Sequence, residues 1–436
     1  MQRLFPFIVL FAATTTFADK PNIILLMADD LGYETLSCNG GGPYKTPVLD
    51  RLAKNGLRFT NCHAQPLCTP SRVKIMTGRY NFRNYRSFGK LPENEKTFGH
   101  VMKSAGYATC IVGKWQLGRD RKLINHFGFD EHCLWWLENK SKRYMDVGEL
   151  IENGKMLPKQ SLAGKYGPDV VSDFMLEFIT RHKEEPFFCW YPMILTHSPY
   201  VETPDSRPGT KGNKYFIDMV HYTDKIVGKI EAHLESLGLR ENTIIIFTGD
   251  NGTGRGITST LNAKPWPGGK GTPHETGTKV PLVVSWPASK ARGVVSDDPI
   301  DFSDFLPTVA ELGGTSLPKG VKIDGQSFAP QLRGEKGTPR DWLYIWYSGR
   351  GGFKARQWAQ DRRFKLYGSG EFFDVVDDPL QARPISLKSL DVGTSAAHQK
   401  LKAILDRMTG EQLKIGVKTE RPGKEQPKKK KRKKSN

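Results

Sequence analysis

The 436-residue sequence predicts an α/β fold: a large mixed, mostly parallel sheet flanked by helices, then a small C-terminal antiparallel sheet with a helix. Three observations carry that reading. Residues 22–28 (NIILLMA), 108–112, 187–195, 243–248 and 280–286 are nearly continuous apolar runs, which marks strands covered on both faces. Amphipathic stretches at 47–54, 97–104, 168–182 and 214–237 alternate with them as helices. After about Arg340 the texture changes to short aromatic and β-branched runs at 342–347, 355–359, 364–366 and 371–375, separated by Gly and Asp turns. A helix near 396–408 closes that part.

The length suggests two to three domains. Apolar residues make up 38%, charged residues 25% and aromatic residues 11%, which excludes a wholly disordered or collagenous chain. Residues 1–18 read as an export signal: Arg3, an apolar run over 4–13 broken by Pro6, and small residues around Ala18. A buried N-terminal strand or helix is the other reading of that segment. No other stretch approaches 18 apolar residues, so no transmembrane segment is expected and the protein is read as periplasmic or secreted. The expected organisation is thus a signal at 1–18, a catalytic α/β part at 19–338, a C-terminal α+β part at 339–415 and a disordered basic tail at 416–436.

The net charge is +19, but ten Lys/Arg and only two Glu fall in residues 418–436, so the remainder carries +11. That body suits an anionic substrate. The KKKKRKK run at 428–434 reads as a solvated tail or as a tether to a polyanion or envelope surface. Nuclear localisation conflicts with the export signal, and no specific nucleic acid is expected. The six cysteines, Cys38, Cys62, Cys68, Cys110, Cys133 and Cys189, are too sparse for a disulfide-built scaffold. Cys110 and Cys189 sit in strand-like runs and read as small core residues; pairing is left open.

In a covered sheet the chemistry gathers beyond the carboxyl ends of the strands. Here those ends carry Asp29-Asp30, Lys114, His197 and Asp250-Asn251. Adjacent carboxylates repel, so two such groups at strand ends point to a cation, and oxygen-only ligands suit Ca²⁺ or Mg²⁺. Each pair taken singly is equally a turn or a helix cap. Cys68-Thr69-Pro70-Ser71-Arg72 reads as a helix start, where the dipole favours anions and an unmodified thiol would be acidic. Arg72 lies one turn away and would face an oxyanion.

CTPSR at 68–72, followed by TGRY at 77–80, resembles the signature of the formylglycine-dependent sulfatases of the alkaline-phosphatase-like fold. The similarity continues in order through PNIILLMADDLGY (21–33), TPVLDRLAKNG (46–56), GKWQLG (113–118), LTHSP (195–199), GDNG (249–252) and GGKGTPHETGTKVPLVVSWP (268–287), and FKLYGSGEFFDVVDDP (364–379) is similar to the family's C-terminal strand pair. The resemblance implies that Cys68 is oxidised to formylglycine by a maturation enzyme, its hydrate being the nucleophile toward a sulfate ester. It implies that Asp29, Asp30, Asp250 and Asn251 hold one Ca²⁺ (or Mg²⁺). Arg72 and Lys114 would orient the nucleophile, Lys270 would contact the sulfate, and His197 would protonate the leaving alcohol. The substrate implied is a sulfated carbohydrate.

One position departs from the family. Where it usually has G-K-W-H-L-G, this chain has Gln116, which cannot accept a proton near neutral pH. Water or another side chain does that work, or turnover is slow, or the protein binds sulfated glycans without turning them over. His274, in KGTPHETG, is the substitute to examine, a surface loop histidine being the plainer reading. A phosphodiesterase or phosphonate monoester hydrolase on the same site is a further alternative. Trp135-Trp136 reads as core or as a sugar platform, His63 and Gln65 as residues near the pocket, and 254–266 as a substrate loop without secondary structure that offers Arg255, Asn262 and Lys264.

Overall fold

A computed structural model describes residues 20–135, 142–352 and 354–417. The export signal, Trp136 and the KKKKRKK run lie outside the described residues. Seven long strands build the main sheet: β1 (Asn22–Ala28), β2 (Leu57–His63), β3 (Ala108–Lys114), β4 (Glu131–Trp135), β5 (Phe187–Pro192), β6 (Thr243–Gly249) and β7 (Lys279–Ser285). Their spatial order is β2-β7-β6-β1-β5-β3-β4, with Val294–Ser296 beyond β2 and two short strands, Leu150–Glu152 and Lys155–Met156, beyond β4. The block from β6 to β4 is parallel, and β7 runs antiparallel to both β6 and β2. The sheet is mixed and mostly parallel, as the apolar runs predict.

Because successive side chains of a strand point to opposite faces, β1 feeds two cores. Ile23, Leu25 and Met27 enter one, shared with the helix Cys68–Thr77 and with Phe98, Leu306 and Val309. Ile24, Leu26 and Ala28 enter the other, with Leu49, Leu52, Val171, Met175, Ile226 and Ile230 from three helices, Pro47–Asn55, Gly167–Arg181 and Tyr215–Ser236. Every residue of β1 is buried.

The C-terminal part is a four-stranded antiparallel meander, Leu343–Tyr347, Arg356–Gln360, Phe364–Tyr367 and Phe372–Asp374, backed by the helix Val392–Lys414. It shares the first core, to which it contributes Tyr344, Trp346, Leu366 and Leu401.

Three expectations change, and one strand goes unread. Residues 187–195 are strand only to Pro192; the apolar run continues because Met193, Ile194 and Leu195 are buried as the chain turns into the site. The C-terminal helix is longer than 396–408, since its exposed ends lack the apolar spacing that marks its middle. The stretch 254–266 is not structureless: Thr258–Leu261 and Lys264–Pro267 pair as a hairpin, extended by Gly41–Gly42. The strand β2 has no counterpart among the apolar runs, because the half-exposed Arg58 and Thr60 interrupt it. All six cysteines are unpaired, with Cys110 opposite Cys189 in the β3–β5 register, both fully buried. Among the described residues no helix is long and apolar enough to cross a membrane.

Candidate active site

The site lies where β6, β1, β5 and β3 end in a row, with β5 between β1 and β3. Asp29 and Asp30 follow β1, Lys114 ends β3, and Asp250-Asn251 follow β6, so strand pairing alone brings them together. Backbone bonds fix the turns: Asp29 N–H donates to the Leu195 carbonyl (2.7 Å) and Asp250 N–H to that of Ala28 (2.8 Å). Asp30 takes a left-handed conformation (φ 59°), and its N–H donates to Asp250 Oδ1 at 3.0 Å. The next loop presses on this turn so closely that a Cβ on Gly252 would sit 1.9 Å from the Thr276 carbonyl oxygen, and only glycine fits.

Cations face the carboxylates. Lys114 Nζ lies 2.5 Å from Asp29 Oδ2, and Arg72 Nη2 lies 3.3 Å from Asp250 Oδ2 and 3.9 Å from Asp29 Oδ2. Arg72 also donates to the Lys114 carbonyl at 2.7 Å. Lys270 Nζ lies 2.7 Å from Asp30 Oδ2 and 3.0 Å from His197 Nε2. Burial pushes the Asp29 carboxyl up, but Lys114, His197, Arg72 and Lys270 together outweigh it and hold it well below the usual range. Asp250 goes the other way: burial and the neighbouring Asp29 push it up to about 8.

The oxygen donors fit a hard cation. Asp29 Oδ1 and Asn251 Oδ1 are buried with no hydrogen-bond partner, although each belongs to a fully buried side chain. Donor atoms of Asp29, Asp30 and His197 all lie within 4.8 Å of one another. Asn251 Nδ2 donates to Asp30 Oδ1 at 2.9 Å, which leaves its amide oxygen turned toward no protein group. The free Asp29 oxygen, the orphaned Asn251 amide oxygen and the neighbouring carboxylates of Asp30 and Asp250 form an oxygen donor set of the kind Ca²⁺ or Mg²⁺ takes.

Cys68 is the first residue of its helix, Leu67 being the extended residue before it, and the thiol is 2% exposed. The helix-start reading predicts an acidic thiol, and the surroundings of Cys68 act the other way. Burial raises it above its ordinary value, and Lys114 only partly offsets this because Asp250 and Asp29 act in the opposite sense. Gln116, two residues past β3, also has positive φ (56°), is 8% exposed, and leaves Oε1 unpartnered.

His197 sits on the turn after β5 with its Nδ1 2.6 Å from the Ser198 carbonyl and 2.9 Å from Arg143 Nη1. Burial lowers its proton affinity, while Asp29 and Asp30 pull it back up. The structure does not bring His274 to the cluster. It precedes a short helix, Glu275–Thr278, and the charges that act on it are Lys365, Arg356, Glu275 and Asp378, so it faces the C-terminal sheet. His63 is buried behind the site, bonded to Thr278 and Asn61, and Gln65 is buried with neither amide atom paired. Arg143 and Tyr144 carry no motif and escape the sequence reading; the Tyr144 hydroxyl donates to the His197 carbonyl.

The sulfatase family model matches residues 21–315. Mouse (Mus musculus) N-acetylgalactosamine-6-sulfatase is 32% identical over 397 residues, spanning 81% of this chain and 75% of its own length. Bovine (Bos taurus) arylsulfatase A is 32% identical over 430 residues, spanning 87% of this chain and 81% of its own. Among solved structures, the PsFucS1 sulfatase from Pseudoalteromonas sp. superposes with a TM-score of 0.76 at 22% identity, covering 92% of each chain. Ps i-CgsB, solved in complex with k-i-k-neocarrahexaose, superposes with a TM-score of 0.74 at 26% identity, covering 91% of this chain and 92% of its own. A buried carboxylate–cation cluster at the strand ends, beside a helix that opens on C-T-P-S-R, is thus found in a chain that belongs to the sulfatase family, a sulfuric ester hydrolase.

Proposed function

We propose that this sulfatase is exported and hydrolyses sulfate esters of carbohydrates, using formylglycine formed from Cys68 and a Ca²⁺ or Mg²⁺ ion held by Asp29, Asp30, Asp250 and Asn251. The observation that carries this reading is the pair of buried, unpartnered oxygens, Asp29 Oδ1 and Asn251 Oδ1, beside three cationic side chains and the helix start at residue 68. When bound, the ion would polarise a sulfate oxygen as a Lewis acid. A hydrated aldehyde at position 68 would supply the attacking hydroxyl, with an exit that an ester on an ordinary serine lacks.

The chain's own residues do the rest. Arg72 is locked by the Lys114 carbonyl and Asp250, so its guanidinium and the Lys114 ammonium present fixed positive charge beside residue 68. Preorganised charge of this kind stabilises the charge that develops on transferring oxygens. Lys270 neutralises Asp30 and stands between it and His197, so an arriving sulfate meets an ammonium already aimed at the site. His197 holds its Nδ1 proton on the Ser198 carbonyl, which leaves Nε2 to carry a proton to a leaving oxygen.

The test is release of inorganic sulfate from 4-nitrophenyl sulfate and a panel of sulfated sugars, against matched phosphate and phosphonate esters. Multiple-turnover release selective for sulfate supports the proposal, and faster phosphoester cleavage sinks it. Chelation followed by gel filtration should lower the melting temperature, and adding Ca²⁺ should restore it. No thermal shift with Ca²⁺ or Mg²⁺ would remove the ion from the site.

The second reading, binding without turnover, draws on Gln116. Gln116→His restores the family's usual proton acceptor at this position, and turnover on 4-nitrophenyl sulfate should rise by about tenfold or more if regeneration limits the rate. An unchanged rate would assign that proton to water or another group.

A further inference from the structure

We propose that Arg143 reads a second anionic group on the substrate, so that the site prefers sulfated sugars bearing another sulfate or a carboxylate near the ester that is cleaved. This inference rests on the sulfatase reading of the site and deepens it.

Arg143 stands on the side of His197 away from Lys270. Its Nη1 is 2.9 Å from His197 Nδ1, while Lys270 Nζ is 3.0 Å from Nε2. A group that protonates the leaving oxygen lies between the sulfate and the rest of the sugar, so Arg143 belongs to the sugar side. The guanidinium is not placed there to serve His197. The Nδ1 proton already has the Ser198 carbonyl at 2.6 Å, and a guanidinium has only N–H groups to offer.

Its partners hold it without neutralising it. The guanidinium carbon lies 4.5 Å from the Trp135 ring centroid, a stacking contact that fixes its plane. Among the described residues no carboxylate comes within ion-pair distance of Arg143. The contrast within the chain is clear: Arg72 has Asp250, Arg83 has Asp324 and Glu411, and Arg340 has Asp304.

The backbone around Arg143 is pinned as well. The Tyr144 hydroxyl bonds to the carbonyls of Ile194 (3.3 Å) and His197, its ring stacks on Tyr166 at 6.1 Å, and Gly167 N–H donates to the Tyr144 carbonyl at 3.0 Å. A stacked guanidinium beside a reaction centre, with no carboxylate partner among the described residues, matches a planar or tetrahedral oxyanion. Arg255 is exposed across the site, donates from Nε to the Lys270 carbonyl at 2.7 Å, and adds to the same positive field.

The test compares three ligands by titration calorimetry in Ca²⁺ buffer, in a Cys68→Ala background that removes turnover: a galactose monosulfate, a galactose disulfate and a sulfated uronyl disaccharide. At least one of the doubly anionic ligands should bind about tenfold tighter than the monosulfate, the small end of what a charge-assisted hydrogen bond contributes. Which of the two gains identifies sulfate or carboxylate as the group read. Adding Arg143→Gln should reduce the preference to within about threefold, with Arg143→Lys between the two. No preference in the parent, or an undiminished preference in the Gln variant, overturns the proposal. Equal weakening of all three ligands also overturns it and leaves Arg143 as a positioning residue for His197. Sulfate release from 4-nitrophenyl sulfate by the unmutated chain is read in parallel, and its absence defeats the sulfatase reading rather than the Arg143 inference alone.

Discussion

Cys68→Ala should reduce sulfate release by about 10⁴-fold or more while leaving the melting temperature within about 3 °C of the parent. The large loss follows from chemistry: alanine offers no thiol to oxidise and no hydroxyl to attack sulfur. The small stability change follows from packing, because a 2% exposed side chain that is trimmed by one sulfur leaves a minor void. Cys68→Ser separates nucleophile from aldehyde. Serine has one hydroxyl, so it should release at most one equivalent of alcohol and then stall. Equal steady-state activity in the Ala variant would refute the mechanism, and the mass of tryptic peptide 59–72 from native protein shows directly whether an aldehyde is present.

Lys74→Met should destabilise the protein by about 3–5 kcal/mol in urea denaturation, and the loss should be largely recovered in Lys74→Met with Asp301→Asn. Lys74 lies on the same helix as Cys68 and is 0% exposed. Its ammonium lies 2.6 Å from Asp301 Oδ2 and 3.2 Å from the Tyr344 carbonyl, and 5.3 Å from the Tyr80 ring. Burial depresses its proton affinity, and Asp301 opposes that. Removing the cation alone strands a buried carboxylate, whereas removing both charges leaves only a hydrogen bond to restore. If the single and double variants lose the same stability, the stranded Asp301 carboxylate is not the source of the loss.

How much of this was legible in the sequence varies from element to element. The strand β1 announces itself because it is buried on both faces, so no polar residue interrupts NIILLMA. The strand β2, outermost of the long strands and flanked only by short ones, alternates, and Arg58 and Thr60 hide it. The acids at the strand ends were legible because parallel pairing maps sequence position directly onto place in space. Arg143 was not, since its partner His197 is 54 residues away and no local pattern couples them. His274 misled for a related reason. It is four residues from Lys270, but the chain turns between them, and a Thr272 N–H bond to the Gly269 carbonyl sends the later residues toward Lys365. No local pattern marks Lys74 as buried, because the groups that enclose it, Asp301 and Tyr344, lie 227 and 270 residues on.

The central place of β1 also sets a timetable. It is the first strand of the sheet to be synthesised, yet its two neighbours arrive 165 and 221 residues later. Closing loops of that length makes folding slow compared with a chain of local contacts. Until β5 and β6 emerge, a wholly apolar strand waits with both edges bare, open to pairing with other nascent chains. The acids at its end share that wait: Asp29 and Asp30 meet Asp250 only when β6 docks. Catalytic competence is therefore among the last properties the growing chain acquires, and holding β1 unpaired until then is a task for chaperones.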